Sequence, residues 1–139
     1  MLLKGSVMKG LYKKSELRRM GDIDILIKDI DKMHPASLSK KIIHKYLIEK
    51  FKYEGLIITD DLKMLAVRLR YSPTKAVELA INAGNDMVMI GLKYKTIEKI
   101  IKCISKKVEE GKISQRAINK SVDKIIKMKQ KLLFEKAQM

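Results

Sequence analysis

The stretch Gly55-Leu56-Ile57-Ile58-Thr59-Asp60-Asp61-Leu62-Lys63-Met64 decides how this chain is read. Residues 56–59 form a short, branched apolar run, and two carboxylates follow at once. Such a run suits a parallel strand buried on both faces. It delivers acid groups to the C-terminal end of that strand, where ligands collect in parallel α/β folds. Successive side chains on a strand point to opposite faces. If the chain is still extended there, only one of Asp60 and Asp61 can face such a mouth, and the other is free to cap the next helix. Spacing alone favours the plainer assignment, in which both are caps or solvated loop residues, because Asp is common at strand ends.

Upstream, residues 23–27 (IDILI) alternate apolar and acidic before running apolar, the pattern of a short strand. Residues 29–35 gather Asp, Lys, His and Pro and read as a loop. A helix is expected next, capped by Ser37 or Ser39, with Leu38, Ile42, Ile43, Tyr46, Leu47 and Phe51 as its apolar stripe. Downstream, residues 62–68 read as a short helix that Asp61 could cap. Ser72 and Pro73 suit the cap and first turn of another helix, and Gly84 suits its end. Residues 86–90 (DMVMI) form a second buried strand. Two amphipathic helices follow, over about 95–110 and 114–134, separated by Gly111. Strands alternating with helices imply a parallel sheet with helical crossovers. The Gly-interrupted residues 1–21 give no assignable element beyond a possible short helix, and residues 135–139 are expected to fray.

Composition narrows the class. The 139 residues fit one domain, and 46% hydrophobic with 34% charged is a globular balance. No apolar run approaches the roughly 18 residues of a membrane-spanning helix, and the start lacks the apolar core of a signal peptide. A cytoplasmic location is therefore expected. The net charge is +15, yet 26 of the 31 basic residues are Lys and only 5 are Arg. Readers of bases and phosphates favour the planar Arg fork, and these lysines are spread along the whole chain. A solvated Lys-rich surface is favoured over a nucleic-acid site. One cysteine, Cys103, and two histidines, His34 and His44, form no metal-ligand spacing, so no metal or other cofactor is expected.

Three elements together resemble glycoside hydrolase family 3, most closely its bacterial β-N-acetylhexosaminidase branch. They are Pro35-Ala36-Ser37-Leu38-Ser39, then GLIITDDLKM, then residues 76–90 (AVELAINAGNDMVMI). They stand in the family's order, and the likeness runs over about residues 23–133. The resemblance implies an α/β fold, part of a (β/α)8 (TIM) barrel. About the last three β/α units would be present, with residues 23–27, 56–59 and 86–90 as the sixth, seventh and eighth parallel strands and with flanking helices. On this basis residues 22–134 are the partial catalytic barrel. The resemblance also implies that Asp60 is the nucleophile of a retaining hydrolysis of O-glycosidic bonds. It makes Asp61 structural and places Met64 where it would line the sugar site.

The chain departs from the family in ways that bear on activity. A (β/α)8 barrel takes about 250 residues, more than are present. The family's K-H-F-P-G-H-G element and the histidine acid/base of the hexosaminidase branch have no counterpart. Neither His34 nor His44 stands at the acid/base position, and Asp24 takes the place of a family His at the sixth strand. The sequence looks like a truncated or split glycosidase, expected to be inactive as an isolated chain. Its partners would be an N-acetylglucosamine-containing glycan in the intact relative and, for the chain itself, a second copy or the missing barrel half. Two other readings remain beside this one: a non-catalytic structural or interaction remnant, and a basic nucleic-acid-binding module.

Overall fold

Ser72 and Pro73 fix the start of the central helix. The Ser72 hydroxyl accepts the Lys75 N–H at 3.3 Å, Pro73 supplies a preset φ, and Gly84 ends the helix in the left-handed region at φ 105°. In the computed structural model, which describes residues 31–137, this helix is the third of five. In chain order α1 spans Lys41–Lys50, α2 Leu65–Arg68, α3 Pro73–Ala83, α4 Tyr94–Glu109 and α5 Gln115–Ala137. A 3-10 turn, Ala36–Leu38, leads into α1. The expected elements at residues 1–21 and 23–27 lie outside the described residues.

Small residues set the packing around α3. Ala76, Ala80 and Ala83, spaced four and three apart, are buried to 1% exposure or less, so neighbouring elements can approach its backbone closely. One side meets Leu38, Leu62, Val67 and Ile100. Ala83, at its end, meets Ile43, Leu47 and Ile57. The buried Asn85 side chain then ties the helix end to the 3-10 turn, donating to the carbonyls of Ser37 and Ala80, each at 2.7 Å.

α1 differs from the expected α-helix. Its bonds reach five residues back, as when the Phe51 N–H donates to the Tyr46 carbonyl at 2.9 Å, and the helix is π-wound. Ser39, not Ser37, acts at its start, accepting the Ile42 N–H at 3.2 Å while donating to Asp31. Phe51, placed on the apolar stripe by its spacing, is the C-cap and stays exposed. α2 begins at Leu65, three residues later than expected, because residues 62–64 are held in a turn. α5 continues through Ala137, past the residue at which fraying was expected.

The two apolar runs expected as strands lie side by side. Ile58 and Met87 form a parallel bridge, and among the described residues neither run extends into a regular strand. Side-chain groups stand in for part of the ladder. The Ile57 N–H donates to the Asp86 carboxylate at 3.0 Å, and the Met89 N–H donates to the Thr59 hydroxyl at 2.9 Å. Burial alternates as on a strand. Ile57 and Thr59 are buried on the helix side, while Ile58, Met87 and Met89 stay exposed on the other. The helices therefore cover one face of this ribbon and leave an apolar face open.

Asp86 also anchors α5. Its carboxylate accepts from the Lys124 ammonium at 3.0 Å and the Ser121 hydroxyl at 2.9 Å, and its side chain is only 5% exposed. Asp86→Ala leaves Lys124 and the Ile57 N–H without this acceptor. We expect a loss of about 2–3 kcal/mol in urea unfolding. A loss under 0.5 kcal/mol contradicts this role. A second buried carboxylate, Glu78, accepts from Lys107 at 2.8 Å and Lys75 at 3.0 Å, and the Lys107 bond chiefly holds its carboxyl below the ordinary Glu range. A depressed native value means the stability is present above the unfolded value, about 4.3, and is lost as pH falls through the native one. The urea midpoint should drop below about pH 4.5, and Glu78→Gln should flatten that part of the profile.

Candidate functional site

The site is built at the ends of the two paired segments. Thr59 is buried, its N–H donates to the Met87 carbonyl at 3.1 Å, and its hydroxyl accepts from Met89. The segment is thus pinned on both sides of its bridge before it reaches the carboxylates. Leu62, 4% exposed, is drawn into the core while its N–H donates to the Met89 carbonyl at 2.9 Å. Between these two fixed points the chain carries Asp60 and Asp61.

The two acids are held in different ways. Asp60 is half-buried and shares the strand parity of Ile58, whose side chain lies on the open face. Its Oδ1 accepts the Asp61 N–H at 2.8 Å. Asp61 instead turns to the neighbouring segment. Its Oδ1 accepts the Lys63 N–H at 2.9 Å and the Gly91 N–H at 3.1 Å, and these two bonds hold its carboxyl below the usual Asp range. Asp61 therefore does not cap α2, as the sequence suggested. It staples the loop after the first segment to the loop after the second. Gly91 is suited to that approach, since a Cβ there would stand 3.2 Å from Asp61 Oδ2.

Met64 closes the loop. Its N–H donates to the Asp61 carbonyl at 3.0 Å, its backbone takes the N-cap position of α2 with no capping bond from the side chain, and that side chain is exposed. The histidines are engaged elsewhere. His34 stacks on Tyr71 with ring centroids 6.1 Å apart and lies 3.5 Å from Asp31, while His44 lies 3.3 Å from Glu49. Among the described residues no group of three His, Cys, Asp or Glu is arranged to hold a metal ion.

Reading the sequence missed three supports of this site. In the sequence Thr59 only ends one apolar run, Asp86 only starts the other, and Gly91 only follows it. A Gly directly after an apolar run and an Asp directly before one were the available signals. Their partners, 30 residues away in the case of Gly91 with Asp61, follow only from the parallel pairing.

Residues 7–128 match the family model described as the glycosyl hydrolase family 3 N terminal domain. The beta-hexosaminidase A of Pseudoalteromonas piscicida is 26% identical over 106 residues, covering 72% of this chain and 18% of that protein. Among solved structures, the β-N-acetylglucosaminidase of Thermotoga maritima is similar at 34% identity and a TM-score of 0.65, over 72% of this chain and 22% of that one. The family 3 β-N-acetylglucosaminidase of Paenibacillus sp. str. FPU-7 is similar at 28% identity and a TM-score of 0.69, over 74% and 20%. The chain thus spans about a fifth of the length of these relatives.

The staple can be tested by contrasting two substitutions. Both Asp61 bonds end on one oxygen. Asp61→Asn keeps a carbonyl acceptor there and should change stability by less than about 0.5 kcal/mol, whereas Asp61→Ala should lose about 1–2 kcal/mol in urea unfolding. Equal effects of the two substitutions would argue against the staple.

Proposed function

The chain belongs to glycosyl hydrolase family 3, and from that premise we propose that it carries the nucleophile-bearing part of a retaining β-N-acetylhexosaminidase barrel. In this reading the matched residues form the closing part of the barrel. Residues 56–59 and 86–90 are its seventh and eighth strand positions. The open face with Ile58, Met87 and Met89 is the barrel interior. One observation carries the proposal. Asp60 stands half-exposed at the end of the pinned segment, on the parity of the open face, while Asp61 is committed to the scaffold.

The chemistry assigned to Asp60 is nucleophilic. Its carboxylate attacks the anomeric carbon of an N-acetylglucosaminide and forms a glycosyl ester, with departure of the leaving-group oxygen, and water then hydrolyses the ester. The Asp61 N–H bond to Asp60 Oδ1 leaves the second oxygen, Oδ2, for the attack and fixes the plane of the carboxylate. Met64 supplies an apolar contact beside the sugar. Departure of the leaving group needs a proton donor across the scissile bond. His34 and His44 are engaged with Asp31 and Glu49, and neither contacts Asp60. Residues 31–137 therefore hold the nucleophile without its acid/base partner, and they do not turn over glycosides by themselves. The substrate class, an N-acetylglucosamine-containing glycan, is that of the enzymes this chain is similar to.

The test uses a chimera in which residues 31–128 replace the matched segment of the Thermotoga maritima enzyme. The isolated chain should give no turnover of an aryl N-acetyl-β-glucosaminide above the blank, and the chimera should turn it over. Asp60→Ala in the chimera should lose at least about 1,000-fold in kcat. Azide should restore turnover and yield the α-glycosyl azide, because the external anion attacks where the carboxylate did. Asp60→Ala with unchanged kcat, or with rescue to the β-azide, would overturn the assignment.

A further inference from the structure

The two segments that hold the site fall out of step at its carboxylates. Around the Ile58–Met87 bridge the pairing is regular, with the Met87 N–H donating to the Ile57 carbonyl and the Thr59 N–H to the Met87 carbonyl, each at 3.1 Å. Two residues on, the same pattern would set Asp60 opposite Met89 and send the Asp61 N–H to the Met89 carbonyl. Instead the Leu62 N–H takes that carbonyl at 2.9 Å, and the Asp61 N–H turns to Asp60 Oδ1 at 2.8 Å. Asp60 and Asp61 thus stand together against the single residue Met89, the two-against-one count of a bulge. Asp61, the extra residue, reaches across to Gly91. Asp60 keeps its place as the neighbour of Met89.

Met89 is turned to the same side as Asp60. Val88 and Ile90, on either side of it, pack on the core that holds Leu62 and Ile100, whereas Met89 is 49% exposed on the open face. Adjacent strands lie about 4.8 Å apart, within reach of a methionine's flexible stem. Gly91, next on that parity, carries no side chain, so Met89 is the side chain that the second segment sets beside the acid. The Asp60 carboxylate is therefore held at Oδ1 by the Asp61 N–H and flanked by a thioether, which has no proton to donate. A neighbour of this kind leaves the lone pairs of Oδ2, the oxygen assigned to the attack, untied.

We propose that Met89 is a positioning residue for the nucleophile: its thioether is an apolar wall beside the Asp60 carboxylate that keeps Oδ2 free of hydrogen bonds and directed at the sugar. The inference rests on the nucleophilic role given to Asp60. Chemistry separates this role from mere space filling. Gln has nearly the length of Met but ends in an amide with two N–H donors. At position 89 it can donate to Oδ2, and that bond has to break before the attack, so the cost falls on kcat and not on substrate binding. Leu keeps the wall apolar at similar volume.

The chimera with the Thermotoga maritima enzyme carries the test. Met89→Gln should lose about tenfold in kcat with KM within about twofold, and Met89→Leu should stay within about threefold of the parent in both. A second comparison asks whether the effect passes through Asp60. Added to Asp60→Ala, where azide attacks in place of the carboxylate, Met89→Gln should leave the azide-rescued rate within about twofold. The proposal is overturned if Met89→Gln keeps the parent kcat or if Met89→Leu loses as much as Met89→Gln. It is also overturned if the azide-rescued rate falls as far as kcat does, which marks a structural role. Retention of kcat by Asp60→Ala overturns the nucleophile reading instead, and this inference with it.

Discussion

Asp86 is the residue on which the arrangement of the chain depends. Its carboxylate receives the Ile57 N–H from the first extended segment and the Ser121 and Lys124 side chains from α5. Its own N–H donates to the Ile57 carbonyl at 2.8 Å. One side chain thus fixes the register of two parallel segments and the seat of the last helix. A nearly buried carboxylate is tolerated because each of these groups donates to it, and one donor is a cation. The same register sets where Thr59, Leu62 and Gly91 stand, and so where the chain is held on either side of Asp60 and Asp61.

That constraint explains how a fold with little regular sheet still positions a site. The bridge between Ile58 and Met87 is short, but it is flanked by bonds from Asp86, Thr59 and Asp61 that link the two segments through side chains. The small face of α3 presses both segments from behind. The opposite face, with Ile58, Met87 and Met89, has no cover among the described residues. Edges and an apolar face left open in this way call for neighbours. The chain spans only about a fifth of the length of its relatives.

Local signals carried much of this into the sequence. Ser72, Pro73 and Gly84 mark α3 because capping, preset φ and left-handed φ act within one turn. The bounds of α4 and α5 follow from their apolar periodicity to within a residue or so, except at the far end of α5, which runs past the expected stop. The resemblance already assigned Asp61 a structural role, but not the bond across to Gly91 through which it acts. Asp61 looked like a helix cap because it precedes an apolar pattern, and its bond to Gly91 depends on a segment 30 residues on. The π winding of α1 and the late start of α2 have no signature in hydrophobic spacing, which records which residues are apolar and not how tightly the backbone is wound.

The central claim is that this scaffold presents Asp60, and not Asp61, to a sugar. The direct measurement is mass-spectrometric mapping of the chimera after exposure to a 5-fluoro N-acetylglucosaminyl fluoride. Its ring fluorine slows both chemical steps, while its fluoride leaving group keeps the first the faster, so the glycosyl ester accumulates. The account predicts one added sugar on the peptide carrying residues 56–63, with fragmentation placing it on Asp60. An adduct on Asp61, on a residue elsewhere, or no adduct from a chimera that still turns over substrate would contradict it.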